Sequence, residues 1–144
     1  MPASNDGAPL VGGPLRDLFA TIDARDADGF AGFLSEDAVL RFGSAPPVHG
    51  ADAIRQAIGA FFESIKALSH EIDYTAEIDG RVVCEGHVTY TRHDDSRITL
   101  PFIDVLVRAP STRAGLTIDD YRIYMDVAPL YASAPAAAGA GSRG

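Results

Sequence analysis

The sequence predicts an α+β domain in which three N-terminal helices pack on a curved, mostly antiparallel β-sheet and enclose a pocket. Three observations carry this expectation. Apolar residues recur at three- and four-residue steps as far as Ile65, the period changes to two from Ile72 onward, and turn-forming pairs cut the second half into strands.

The first helix is read from Leu15, Leu18, Phe19 and Ile22, which follow Pro14, a residue suited to a first helical turn. "DARDADG" closes it, and Asp28 is placed to cap a short second helix carrying Phe30, Phe33 and Leu34. "DAVLRF" reads as a brief strand, and "GSAPPVHG" as an irregular loop because proline and glycine leave no room for a ladder. A broad stripe of Ile54, Ala57, Ile58, Phe61, Phe62 and Ile65 defines the third helix, with Asp52 near its positive end.

Strand character then takes over. Ile72, Tyr74, Ala76 and Ile78 alternate with Glu71, Asp73, Thr75 and Glu77, and Asp79-Gly80 is a tight-hairpin signal since both central positions favour positive φ. Further strands are expected over 81–92, 98–108 and 116–125, joined by "HDDS" and "APSTRAG". The folded unit therefore spans 14–131, between a disordered tail at 1–13 and a disordered Ala/Gly-rich tail at 132–144.

Charge and composition exclude several functions. Twelve basic against twenty acidic residues give a net charge of −8, a field that repels phosphate backbones and anionic lipid, so neither nucleic acid nor a membrane is an expected partner. No targeting or bilayer-spanning run appears, which points to the cytoplasm. The single cysteine, Cys84, reads as a small buried hydrophobe, and the chain contains no phosphate loop, nucleophile elbow or dinucleotide fingerprint.

Four segments, "RDADGFAGFLSEDAVLRF", "PPVHGADAIRQAIGAFF", "LPFIDVLVR" and "DYRIYMDVAPLY", resemble the nuclear transport factor 2-like superfamily, and in particular its SnoaL-like branch of polyketide cyclases and ketosteroid isomerase-like proteins. The resemblance covers about Leu15 to Tyr131 and implies a cone of helices and sheet around a hydrophobic cavity. Matching "FIDV" to the ketosteroid isomerase pattern puts the sheet aspartate at Asp104, while the partner tyrosine position falls on Leu18 and the base position near Arg41 or Phe42. Alignment with limonene epoxide hydrolases puts the catalytic aspartate on Ile123, so that chemistry is not implied. SnoaL-like cyclases use an acid/base aspartate in an apolar pocket, and Asp104 meets that requirement.

Faces follow from the turns. Two-residue turns at Asp79-Gly80 and Asp94-Asp95 pair Tyr74 with Glu85, Ile72 with His87, His87 with Phe102 and Glu85 with Asp104, so these residues are expected to share the concave face. A β-bulge would shift that parity by one residue, and Val82, Cys84, Val88 and Tyr90 make the opposite face the more apolar one. On the last strand Tyr121, Ile123 and Met125 are expected on the cavity side, with Arg122, Tyr124 and Asp126 outside in structural contacts.

These readings lead to a cofactor-independent acid/base isomerase, cyclase or dehydratase acting on a hydrophobic polyketide-, terpenoid- or steroid-like substrate. Asp104 and His87 are the expected catalytic pair, and Tyr74, Glu85, Phe102, Tyr121, Ile123, Met125 and Phe62 the expected substrate-binding residues. Neither a cofactor nor a metal is expected, since one histidine with Glu85 and Asp104 makes a poor ligand set. The expected partners are a hydrophobic small molecule and a second copy of the chain docked on the convex sheet face. The competing class is a non-catalytic ligand-binding or dimeric scaffold domain.

Overall fold

The protein is described here by a computed structural model covering residues 8–110 and 116–132. Helix α1 (Ala8–Asp23) and the short α2 (Ala27–Ala31) lead into strand β1 (Leu34–Phe42) and the two-residue β2 (Val48–His49). Helix α3 (Ala51–Glu63) follows, then β3 (Ala67–Ile78), β4 (Arg81–Thr91), β5 (Arg97–Arg108), β6 (Ile118–Tyr124) and a final turn of helix, α4 (Ala128–Tyr131). The strands form one sheet in the order β2-β1-β6-β5-β4-β3, antiparallel except where β1 runs parallel to β6. The expected helices and meander are thus present, within a larger sheet.

Several local readings are corrected. The first helix starts at Ala8, so Pro14 lies inside it rather than at its first turn. Asp26, not Asp28, caps α2 by accepting the Gly29 N–H at 2.9 Å. The "GSAPPVHG" loop contains β2, because Val48 and His49 complete a ladder with Leu40 and Val39. Most of the residues expected as tails, 1–7 and 133–144, lie outside the described residues, as does 111–115 of the "APSTRAG" connection.

The core lies between the helices and one face of the sheet. Leu15, Leu18 and Ile22 of α1, and Ile54, Ile58 and Phe62 of α3, turn their stripes onto Val82, Cys84, Val88, Leu106 and Tyr121 of the sheet. Each such side chain contributes roughly 1.5–3 kcal/mol when taken from water. Among the described residues no helix covers the opposite face, and Tyr74, Ile78, Ile103 and Tyr124 are exposed.

Two features set which residues face the core. Between Ile72 and Tyr74 the β3–β4 register shifts, so Tyr74 still pairs with Glu85 but Ile72 pairs with Gly86 and Glu71 with His87. The β4–β5 turn is longer than two residues: Asp95 N–H donates to the Arg92 carbonyl, Asp95 takes φ 72°, and Thr91 rather than Arg92 pairs with Arg97. A type I turn followed by a left-handed residue adds one residue to the loop and moves every later pair by one. Cys84 consequently opposes Asp104, and Gly86 opposes Phe102.

Candidate functional site

Asp104 sits in the middle of β5, inward-facing between Phe102 and Leu106. It is the one buried charged residue among those described, at 3% exposure. Its Oδ2 accepts a long hydrogen bond from the Tyr121 hydroxyl at 3.4 Å, while Oδ1 is buried and has no partner. Burial pushes the Asp104 carboxyl up to about 8, against a smaller opposing pull from the Tyr121 hydroxyl. A carboxyl with that value is neutral for the most part at pH 7 and carries a proton it can donate.

The carboxyl lies on the wall of a narrow, mostly apolar cavity with about 40 Å³ of room for the centres of water-sized spheres. Phe62 and Ile58 of α3, Phe30 of α2, and Phe102, Tyr121 and Ile123 of the sheet line it, with Met125 just beyond β6. Phe61 stands edge-on to Tyr90 at 5.8 Å and to Phe42 at 5.3 Å, which makes one wall aromatic. The Tyr90 hydroxyl points to the Met125 sulfur at 3.9 Å, a weak contact that leaves it available to an oxygen-bearing ligand.

Of the residues expected at the site, the structure brings together Asp104, Phe102, Tyr121, Ile123, Met125 and Phe62. Three others are corrected. His87 projects from the outer face, where its side chain is 51% exposed and its Nδ1 lies 3.0 Å from Asp73 Oδ2. Glu85 is exposed on the same face, and Tyr74 beside it is 58% exposed. The physical reason is the shifted parity: one extra residue in the β4–β5 turn and one in β3 exchange the inner and outer sets.

The charges of the last strand have structural partners. Asp120 receives Arg41 at 3.2 Å from β1 and Arg122 at 3.2 Å from its own strand, and Asp119 accepts from Ser35 at 2.5 Å. Cys84 lies directly across the ladder from Asp104, and burial pushes its thiol up to about 12, which leaves it protonated and unreactive.

His70 is not among the residues expected at the site, and the structure adds it. It lies on the inner face of β3 opposite Val88 and lines the cavity. The missing signal was available in Gly86, an isolated glycine inside a strand pattern. A Cβ there would lie 2.0 Å from the Glu71 carbonyl oxygen, so the glycine marks where β3 bulges against β4 and turns His70 inward. Among the described residues no cluster of three or more metal-ligating side chains occurs.

Helices packed over an apolar cavity on one face of a six-stranded, mostly antiparallel sheet are the architecture of the nuclear transport factor 2-like class. A sequence model of the SnoaL-like domain matches residues 15–110, and the chain belongs to that family. No curated protein matches the chain. Among solved structures, it is similar to a protein from Jannaschia sp. CCS1 provisionally named a SnoaL-like polyketide cyclase, with TM-score 0.74 and 13% identity over 91% of this chain and 95% of that one. It is also similar to a nuclear transport factor 2-like protein of unknown function from Burkholderia pseudomallei K96243, with TM-score 0.71 and 18% identity over 81% and 91%. A third similar structure is TerC co-crystallised with polyporic acid, with TM-score 0.67 and 16% identity over 82% and 92%. At these identities the likeness concerns the fold. No helix among the described residues is long and apolar enough to cross a membrane.

Proposed function

We propose that the protein is a cofactor-independent acid/base catalyst, an isomerase, cyclase or dehydratase, acting on a hydrophobic, oxygen-bearing small molecule of polyketide, terpenoid or steroid type. The observation that carries the proposal is the partnerless Oδ1 of Asp104 on the wall of an apolar cavity. A neutral carboxyl so placed donates to a ligand carbonyl or hydroxyl, and that bond strengthens as negative charge develops on the oxygen. Tyr121 holds Oδ2 and leaves Oδ1 for the ligand, while Phe62, Phe102, Ile123 and Met125 give the apolar body its contacts. Co-crystallisation of TerC, a protein of similar fold, with polyporic acid is in keeping with a small-molecule role.

The test is exchange of the acidic C1 protons of 2-tetralone, an apolar bicyclic ketone, into deuterium oxide, followed by proton NMR. The protein accelerates exchange, and Asp104→Asn loses at least about tenfold of the acceleration. Equal rates for protein and variant, or no rate above buffer, would remove the proposal.

The proposed assembly is a homodimer through the outer sheet face. Tyr74, Glu85, Ile103 and Tyr124 form one row across four paired strands, and Ala76, Val83 and Val105 form the next. An apolar sheet face left open by the helices is a surface that a second copy can cover, and no ion or phosphate is needed to explain it. The same patch would serve a dimeric scaffold, which is the reading left if the ketone assay fails.

A further inference from the structure

Asp104 supplies a proton donor, and a donor alone does not complete a proton transfer. Besides Asp104 and the hydroxyls of Tyr90 and Tyr121, the cavity wall carries one more titratable side chain, His70, which is 10% exposed. Its ring is held on several sides. Asp23, the last residue of α1, accepts the His70 backbone N–H on Oδ2 at 3.1 Å and engages ring Nδ1 through Oδ1 at 2.6 Å. Phe19 lies 5.0 Å from the ring and Phe102 packs nearly perpendicular to it at 5.3 Å. A carboxylate on Nδ1 accepts a proton and offers none, so the neutral ring carries its hydrogen on Nδ1 and a lone pair on Nε2. Among the described residues no hydrogen bond engages Nε2.

We propose that His70 is the base of this cavity, with Asp23 as its positioning residue, and that the substrate is a carbon acid whose oxygen is held by Asp104; the inference rests on the acid/base reading above. His70 Nε2 takes the proton from the carbon next to a ligand carbonyl. The electron pair of that C–H bond becomes the new carbon–carbon π bond, the carbonyl π pair moves onto oxygen, and Asp104 delivers its proton there. Where a C=C adjoins that carbon, the protonated His70 returns its proton to the far alkene carbon while the carbonyl re-forms and the enol proton goes back to Asp104, which completes an isomerisation. Attack of the enol carbon on an internal carbonyl makes an alkoxide that takes the His70 proton while the enol proton returns to Asp104, which completes a cyclisation. Neither an oxidant nor a reductant is involved. The family resemblance placed a base near Arg41 or Phe42 of β1, and neither residue can serve as one; the inward histidine that takes this role stands instead on β3, at the other end of the sheet and separated from the Asp104 strand by β4.

The experiment repeats the 2-tetralone exchange with His70→Gln and Asp23→Asn beside Asp104→Asn. His70→Gln is expected to lose ~10²–10⁴-fold in rate with little change in KM, the range for a positioned general base. Asp23→Asn is expected to lose less and to move the imidazole proton toward Nε2, read by nitrogen-15 NMR. If His70→Gln exchanges as the parent does while Asp104→Asn does not, His70 is not the base and the acid reading stands. If Asp104→Asn retains the full rate and His70→Gln loses it, the Asp104 reading falls instead. Should His70→Gln fail to fold, the parent protein decides by itself: a pyridine-type Nε2 with the proton on Nδ1 supports the proposal, and a proton on Nε2 overturns it.

Discussion

Asp104→Asn tests the buried carboxyl through stability, without any substrate. An aspartate in the unfolded chain releases its proton near 3.8, whereas in the folded protein burial raises the value to about 8. Below 3.8 both states hold the proton and the group contributes no pH dependence. Between the two values the folded state keeps a proton that the unfolded chain has lost, so stability falls as pH rises, and above about 8 the loss is complete. The window is roughly four pH units, and at 1.36 kcal/mol per unit the full loss is about 5–6 kcal/mol, of which about 4 kcal/mol falls between pH 5 and 8. That is a large share of the ~5–15 kcal/mol that holds a domain together. The assay is urea unfolding of the parent and of Asp104→Asn at a series of pH values. Every other titrating group is common to both proteins and cancels in the difference. The variant should gain about 4 kcal/mol on the parent from pH 5 to 8, whatever constant offset the amide introduces. A difference that stays flat within about 1 kcal/mol would mean that Asp104 ionises as it does in water. The donor role would then be lost.

Other outcomes follow from the same geometry. Tyr121→Phe removes the hydroxyl that steadies the charged form of Asp104, so the carboxyl titrates at a still higher pH by carbon-13 NMR, at a cost of ~0.5–1.5 kcal/mol in stability. Gly86→Ala drives a Cβ to 2.0 Å from the Glu71 carbonyl oxygen and should cost ~1–3 kcal/mol or more in urea unfolding; a neutral effect would show that β3 need not bulge there. His87→Ala removes one exposed ion pair, with an expected cost under about 1 kcal/mol and ketone exchange within twofold of the parent; a tenfold loss would return His87 to the cavity. Ile103→Asp puts a second carboxylate beside Glu85 in the outer row, and on the proposed assembly sedimentation should show a dimer for the parent and a monomer for the variant; equal sedimentation of the two would remove that interface.

How far the chain could be read depends on what each signal measures. Helical spacing at Ile54, Ile58 and Phe62 reports burial against a face, and the structure buries those residues. The strands were visible for the same reason, since Ile72 to Ile78 alternate, but alternation gives two faces and does not say which one meets the helices. That choice passed to the turns, and "HDDS" was read as a two-residue loop although Asp94 and Asp95 lack the glycine that such a loop favours. The apolar side of β4, with Val82, Cys84, Val88 and Tyr90 buried, recorded the correct face more directly than the turn arithmetic did. Asp104 was legible because a carboxyl inside "PFIDVLV" has no inexpensive way to be buried. The parallel pairing of β1 with β6 was not, because no local pattern specifies which distant strand closes a sheet.

The displaced parity also bears on the chemistry. With His87 and Glu85 inside, Asp104 would have faced a cation and another carboxylate, and its charge would have been set by two polar neighbours. With Cys84 and Gly86 there instead, the carboxyl has an apolar surrounding across the ladder as well as on its own strand, and only the long bond from Tyr121 opposes the cost of burial. The same bulge that sends Tyr74 outward turns Ile72 and His70 inward, so an imidazole enters the cavity from β3. A carboxyl kept neutral by apolar walls and an imidazole held at Nδ1 by a carboxylate are opposite environments within one cavity. That separation is the basis of the proposed roles, donor for Asp104 and acceptor for His70.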